Sequence, residues 1–225
     1  MQNTTDITIL LDRSGSMQYI KKDMEGAFNS FIKAQTEVMD DECAVSLFQF
    51  DVECDSVYEN RPVRLVPPLD IVPRGATALY DALGEVIDKT GRRLARVPEE
   101  LRPSRVVFAI ITDGEENSSS EYSAEQIKNI IEHQTETYDW QFVYLGANQD
   151  AFQAARNIGI PAFMAQDYAA TPQGVDQMWS SVGDTLAAYR SMKTTSMRFE
   201  KNAGEIRETA KSRYFSEKNT VGEIL

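Results

Sequence analysis

The sequence has a single histidine, two cysteines, no excess of basic charge and no apolar run long enough to cross a bilayer. Each shortage excludes something. With His133 alone, in a polar stretch of a helical pattern, there is little material for a Ser-His-Asp or Cys-His triad. A membrane span needs about 18 or more consecutive apolar residues, so none is expected, and no membrane is called as a partner. The opening MQNTTD lacks the basic and apolar blocks of a secretory signal, which points to a cytoplasmic chain. Cys43 and Cys54 fall in two strands that should fold back on each other at about residues 51 and 52. That register sets Cys54 opposite residue 49, so two free thiols are expected, consistent with a reducing compartment. Of 23 basic and 35 acidic groups, residues 190–225 carry 8 and 5, so the rest of the chain has twice as many acids as bases. A body of that sign repels phosphate backbones and argues against nucleic acid as a partner.

What is present is an alternation of short apolar runs with helical periodicity, the pattern of a mostly parallel sheet covered by helices. Ile7 to Leu11 is nearly continuous apolar sequence, suited to a central strand buried on both faces. A helix follows with Ile20, Met24, Ala27, Phe28, Phe31 and Ile32 on one stripe. Ala44 to Phe50 and Val52 to Tyr58 form an edge hairpin folding at Asp51. A Pro-rich stretch and a loop with Gly75 lead to a helix with Leu79, Leu83, Val86, Ile87 and Leu94 inward. Val106 to Ile111 is a strand, and a helix with Ile127, Ile130 and Ile131 follows its acidic, Ser-rich loop. Phe142 to Leu145 is a strand, Phe152 to Ile158 a helix, and Ala162 to Met164 a short last strand. Val175 to Tyr189 is the final amphipathic helix. The expected fold is α/β: a Rossmann-like, open, mostly parallel six-stranded sheet with one antiparallel edge strand and helices on both faces. Residues 1–190 make the domain and 191–225 a helical or flexible tail.

Three segments stand where chemistry gathers in such a sheet. Asp12-Arg13-Ser14-Gly15-Ser16 follows the first strand, Gly75-Ala76-Thr77 precedes the second long helix, and Thr112-Asp113-Gly114 follows the fourth strand. Ligands bind beyond the carboxyl ends of parallel strands where the winding reverses, and the first and fourth strands are the natural neighbours there. In an extended D-x-S-x-S run alternate residues face one side, so Asp12, Ser14 and Ser16 converge, with Gly15 allowing the turn. Two carboxylates and three hydroxyls are hard oxygen donors that suit Mg²⁺, with Mn²⁺ or Ca²⁺ as alternatives, and not zinc's usual thiolates and imidazoles. Each segment alone has a plainer reading: Ser-Gly-Ser a turn, Asp113-Gly114 a turn, and Thr77 the N-cap of a helix beginning near Ala78. Their joint occurrence in order favours the metal.

These motifs carry a resemblance. ILLDRSGSM, GATALYDAL and IITDGEEN resemble the three segments of the metal-ion-dependent adhesion site of von Willebrand factor A-type domains, over residues of about 5 to 190. YLGANQDAF is similar to intracellular bacterial and phage members. The resemblance implies metal roles for Asp12, Ser14, Ser16, Thr77 and Asp113, with the hydroxyls binding directly, the aspartates through water, and one position left for an outside ligand. The implied function is a non-enzymatic module whose Mg²⁺ recruits an Asp or Glu of a protein partner, the oligomeric state being open. One alternative is a structural subunit of a larger bacterial or phage assembly. Another is a Mg²⁺-dependent phosphohydrolase, which would need an acid where Ser14 stands. Glu115 and Glu116 are expected in a solvated loop, His133 at the surface, and Trp140 and Trp179 in the core.

Overall fold

The computed structural model describes residues 4–39, 41–147, 150–191 and 196–199. Its centre is β1 (Thr4–Asp12), in which every residue from Thr5 to Asp12 is buried, so both faces of the strand are covered. That is why the sequence there is a continuous apolar run and does not alternate. β1 pairs in parallel with β2 (Glu42–Phe50) on one side and with β4 (Arg105–Thr112) on the other. β5 (Gln141–Gly146) and β6 (Ala165–Asp167) extend the sheet beyond β4, and β3 (Cys54–Pro62) closes the opposite edge antiparallel to β2. The six-stranded mixed sheet is the one expected from the alternation.

The helices follow their apolar stripes. α1 (Lys21–Thr36) buries Met24, Ala27, Phe28 and Phe31. It meets α5 (Pro172–Arg190), whose Trp179 stands edge-on to Phe28 at 5.4 Å and 4.9 Å from Phe31, its Nε1 donating to Met24 Sδ. α2 (Leu79–Ala95) buries the five residues expected of it. α3 (Ala124–Tyr138) starts on a reciprocal cap between Ser123 and Gln126, which satisfies two otherwise orphaned backbone amides. α4 (Ala151–Asn157) begins at Asp150, whose side chain accepts from the Gln153 amide. Trp140 and Trp179 are core residues and His133 is exposed, as expected.

Two expectations need correction. The hairpin turns through three residues, with the Asp51 amide donating to the Glu53 carbonyl at 2.9 Å, so Cys54 faces Phe50 and Asp55 faces Gln49. Both cysteines are free, and Cys54 still lies well away from Cys43. The last strand begins three residues later than expected: Ala162–Met164 is a single 3-10 turn, started by Pro161, and β6 follows it. An apolar triplet after proline satisfies a buried turn as well as a strand.

The strands' amino ends are tied by ion pairs. Arg190, buried at the end of α5, donates through Nε to Asp41 at 2.7 Å and through Nη1 to the Gln35 carbonyl, while Arg93 grips Asp6 with two bonds of 2.7 and 3.0 Å. Beyond α5, Met197 and Phe199 are buried and the Phe199 amide donates to the Phe163 carbonyl. The rest of the expected tail, 192–195 and 200–225, lies outside the described residues. Among the described residues no helix is long and apolar enough to cross a membrane.

Candidate functional site

The chain leaves β1 toward β2 on one side and reaches β4 on the other, so the carboxyl ends of β1 and β4 flank the point where the winding reverses. Asp12 ends β1, and Asp113 follows the last residue of β4. The segment after Asp12 turns at once into a 3-10 turn, Gly15–Tyr19, which sets Ser14 and Ser16 on the rim. Gly15 donates to the Gly75 carbonyl at 3.3 Å, and Arg74 donates to the Arg13 carbonyl at 2.8 Å. Those two bonds lay the Thr77 loop against the D-x-S-x-S loop.

The side chains meet as a chain of short contacts. Asp12 Oδ1 accepts from the Ser14 amide at 2.6 Å, the Ser14 and Ser16 hydroxyls lie 3.1 Å apart, and the Ser16 hydroxyl donates to Asp113 Oδ1 at 2.6 Å. A Cβ placed on Gly114 would stand 3.6 Å from Thr77 Oγ1 and 4.0 Å from Ser16 Oγ, so Thr77 shares this space with the others. All five expected residues are therefore brought to one end of the sheet. Asp12, Ser14, Thr77 and Asp113 are buried, whereas Ser16 is exposed, so the cluster opens to solvent on the Ser16 side.

Thr77 does not cap α2. The helix's N-cap is Ala78, with no side-chain cap bond. The orphan amides of the first turn are taken by the loop after β4: Tyr80 N donates to Glu116 Oε2 and Ser119 Oγ at 3.1 and 3.0 Å, and Asp81 N to Ser119 Oγ at 3.1 Å. Glu116 also accepts from the Ser118 and Ser119 amides, so it organises its loop and is not merely solvated. Asn117 clasps Thr77 on both sides, accepting from its amide and donating to its carbonyl, each at 3.0 Å. With the cap supplied from elsewhere, the Thr77 hydroxyl is left to the cluster.

Other contributors were not legible from the motifs. The Thr112 hydroxyl donates to Asp12 Oδ2 at 2.6 Å, and buried Tyr168 donates to the Thr112 carbonyl at 3.2 Å. Thr112 stood beside Asp113 in the sequence and could have been suspected, but nothing local marks Tyr168. Arg13 plays a structural part. Its Nε donates to Asp51 Oδ2 at 2.8 Å, as does Arg74 Nε, while the Glu53 amide holds Asp51 Oδ1 at 2.9 Å. Gly75, at φ +70°, sits in the left-handed region that favours glycine, and a Cβ there would also crowd Asp51 Cβ at 3.2 Å.

Burial sets the electrostatics. It lifts the Asp12 carboxyl to about 6 against the hydrogen bonds from Thr112 and Ser14, and the nearby charge of Asp113 adds to the rise. Burial also raises Asp113, with the Ser16 hydrogen bond opposing. Tyr168 is pushed far above its ordinary range by burial and by the charges of Asp113 and Asp12, so it remains a donor. Two carboxylates that resist ionisation, next to three hydroxyls and nothing softer than oxygen, form a donor set that fits a hard divalent cation. Among the described residues no three His, Cys, Asp or Glu side chains gather, so a site of zinc-finger type is absent from them.

No family model matches the sequence, and no curated protein resembles it by sequence. Solved structures do resemble it in shape. Proximal thread matrix protein 1 from the mussel byssus, with a zinc-occupied MIDAS motif, aligns at TM-score 0.58 and 15% identity over 83% of this chain and 46% of its own. The D319A mutant of the PilB minor pilin from Streptococcus sanguinis aligns at 0.60 and 12% over 86% and 64%, and a von Willebrand factor type A structure from Catenulispora acidiphila at 0.54 and 14% over 83% and 43%. The chain thus spans less than two thirds of these proteins. With its strand order, its single antiparallel edge and these likenesses, the chain has the fold of von Willebrand factor A-type domains.

Proposed function

We propose that the chain is a non-enzymatic binding module in which Asp12, Ser14, Ser16, Thr77 and Asp113 hold one divalent cation, Mg²⁺ in preference to Mn²⁺ or Ca²⁺, and present it to an acidic side chain of a protein partner. The observation that carries this reading is the convergence of five oxygen-bearing side chains from three distant segments around two buried carboxylates. When bound, the cation supplies an electrophilic centre for an anionic oxygen. The chain's own residues do the rest. Asp12 and Asp113 provide the counter-charge, and the neutral hydroxyls of Ser14, Ser16 and Thr77 complete the donor set without cancelling more of the ion's charge. Thr112 and Asn117 fix Asp12 and Thr77 in place, and exposed Ser16 leaves the approach open. Zinc occupies the MIDAS motif of the mussel protein, and the all-oxygen set here favours harder ions.

Cys43 and Cys54, both free and with thiols pushed up to about 12 by burial, suit a reducing cytoplasm. We take residues 1–190 as the domain and 191–225 as an appended segment whose first stretch, at Met197 and Phe199, docks on the core. Affinity capture from a host lysate tests the reading: a protein retained in Mg²⁺ and released by EDTA, and absent with Asp12→Ala, is expected. Retention indifferent to chelator and to that substitution would overturn it.

A further inference from the structure

Of the five residues of the proposed site, Thr77 is the one the chain reaches without a strand or helix before it. Asp12 and Asp113 stand at the ends of β1 and β4, and Ser14 and Ser16 follow closely on β1, but the chain from Val66 to Ala78 has neither helix nor strand. Its course is set by contacts with other segments, and near Thr77 Asp51 makes several of them. Asp51 Oδ2 accepts from Arg74 Nε at 2.8 Å, and the Asp51 carbonyl accepts from the Ala78 amide at 2.8 Å, so one residue holds both ends of the stretch that carries Thr77. Between those ends, Gly75 lies so close that a Cβ on it would stand 3.2 Å from Asp51 Cβ. The stretch is wound on Asp51. The same Oδ2 accepts from Arg13 Nε at 2.8 Å, and the Arg74 amide donates to the Arg13 carbonyl, so the loop of Ser14 and Ser16 is fastened to the same post. Asp51 is 1% exposed, and the Glu53 amide donates to its Oδ1, which fixes the orientation of the carboxylate.

We infer that Asp51 and Arg74 are positioning residues of the proposed cation site: the Arg74 guanidinium, fastened to Asp51, sets where the Thr77 hydroxyl stands relative to Ser14 and Ser16. A carboxylate suits this task, because its two anionic oxygens accept from an amide and from two guanidinium groups at once. Asn117 holds Thr77 itself by its amide and carbonyl, whereas Asp51 holds the residues on either side of it. Outer residues of this kind orient metal ligands without touching the ion. The inference rests on the cation site proposed above and adds the residues that assemble it.

Arg74 offers the cleaner test, since its side chain is 51% exposed and Asp51 keeps Arg13 and the Glu53 amide without it. Charge and position then predict opposite signs. Removing a positive group near a cation site favours the cation, whereas loosening Thr77 weakens its grip. Titration of the full chain with Mn²⁺ should show affinity falling about fivefold in Arg74→Ala, less than the loss of about tenfold expected when the Thr77 hydroxyl itself is removed. Arg74→Lys, which keeps the charge and a donor for Asp51, should recover most of the affinity. In a Thr77→Ala background Arg74→Ala should cost nothing further, because the hydroxyl it places is gone. A second measurement needs no metal: in metal-free protein Arg74→Ala should speed hydrogen exchange at the Ala78 and Gly15 amides, while the Met24 amide, bonded to the Ile20 carbonyl, exchanges as in the wild type. Affinity that is unchanged or higher in Arg74→Ala, or a loss of equal size with and without Thr77, would overturn the role. Unchanged exchange at Ala78 and Gly15 would do so as well. A wild type that takes up no Mn²⁺ would instead overturn the cation site, and this role with it.

Discussion

Asp12 and Asp51 sit at the ends of adjacent strands, both almost fully buried, yet the fold treats them in opposite ways. Asp51 receives two guanidinium groups and a backbone amide. Burial pushes its carboxyl up, but the Glu53 amide, Arg74 and Arg13 more than reverse this and hold it below the usual range. Asp12 receives a hydroxyl and an amide, and no basic side chain is among the groups that set its charge, so burial lifts it to about 6. A carboxylate neutralised from within is structural. One buried without such neutralisation is a cost that a cation from outside can relieve, and that difference is what supports the proposed site.

Making the same substitution at both places puts the contrast at risk. Asp51→Asn takes away the buried counter-charge of the Arg13 guanidinium and leaves it only the exposed Asp55 carboxylate, 2.7 Å from Nη2, and urea unfolding should show a loss of about 3 kcal/mol. Asp12→Asn should act in the opposite direction in metal-free protein, adding about 2 kcal/mol at pH 8 by removing a buried charge, a figure of the order implied by its raised carboxyl. A loss of stability at both positions would show that the two aspartates are not opposites.

The sign of the pH dependence follows from the same group. Asp12's folded value, about 6, lies above its ordinary 3.8, so the folded chain keeps a proton that the unfolded chain has released. Its contribution to metal-free stability is therefore complete below the lower value and is lost as pH rises through the upper one. Denaturation of the wild type between pH 4 and pH 7 should show this decline. Asp12→Asn should remove the Asp12 share of it, leaving the part that the raised Asp113 carboxyl contributes, and saturating Mg²⁺ should flatten it.

A smaller effect separates the cap from the ligand at Thr77. Because Glu116 and Ser119 cap α2, Thr77→Ala should lower Mg²⁺ affinity about tenfold while costing less than about 1 kcal/mol of stability, with Thr77→Ser restoring the affinity. Calorimetry and urea unfolding of the two variants would check it, and a large stability loss with unchanged affinity would return Thr77 to a structural role. Smallest of all, Cys43 and Cys54 should react only slowly with iodoacetamide at pH 8, since burial holds both thiols protonated, and reductant should leave the thermal midpoint unmoved.

The sheet and its helices were legible because Ile7 to Leu11, Val106 to Ile111 and the stripe of α1 each repeat a signal several times over. The five site residues were legible because each sits in a short motif at a strand or helix end. What escaped depends on contacts across long separations. The hairpin register is set by Asp51, which must bury its carboxylate against Arg13 and Arg74, 38 and 23 residues away. Glu116 looked like one more solvated acid because the amides it caps lie 36 residues back in the chain, at Tyr80. Ala162 to Met164 shows a different limit: three apolar residues hold too short a pattern to tell a strand from a turn.

The most direct test is isothermal titration of metal-free protein with Mn²⁺ near pH 6, in two buffers of different ionisation enthalpy. One ion per chain should bind with release of protons from the buried carboxyls, and Asp12→Ala should abolish the uptake. No uptake at millimolar Mn²⁺, or binding that Asp12→Ala leaves unchanged, would contradict the claim that these five side chains form a cation site.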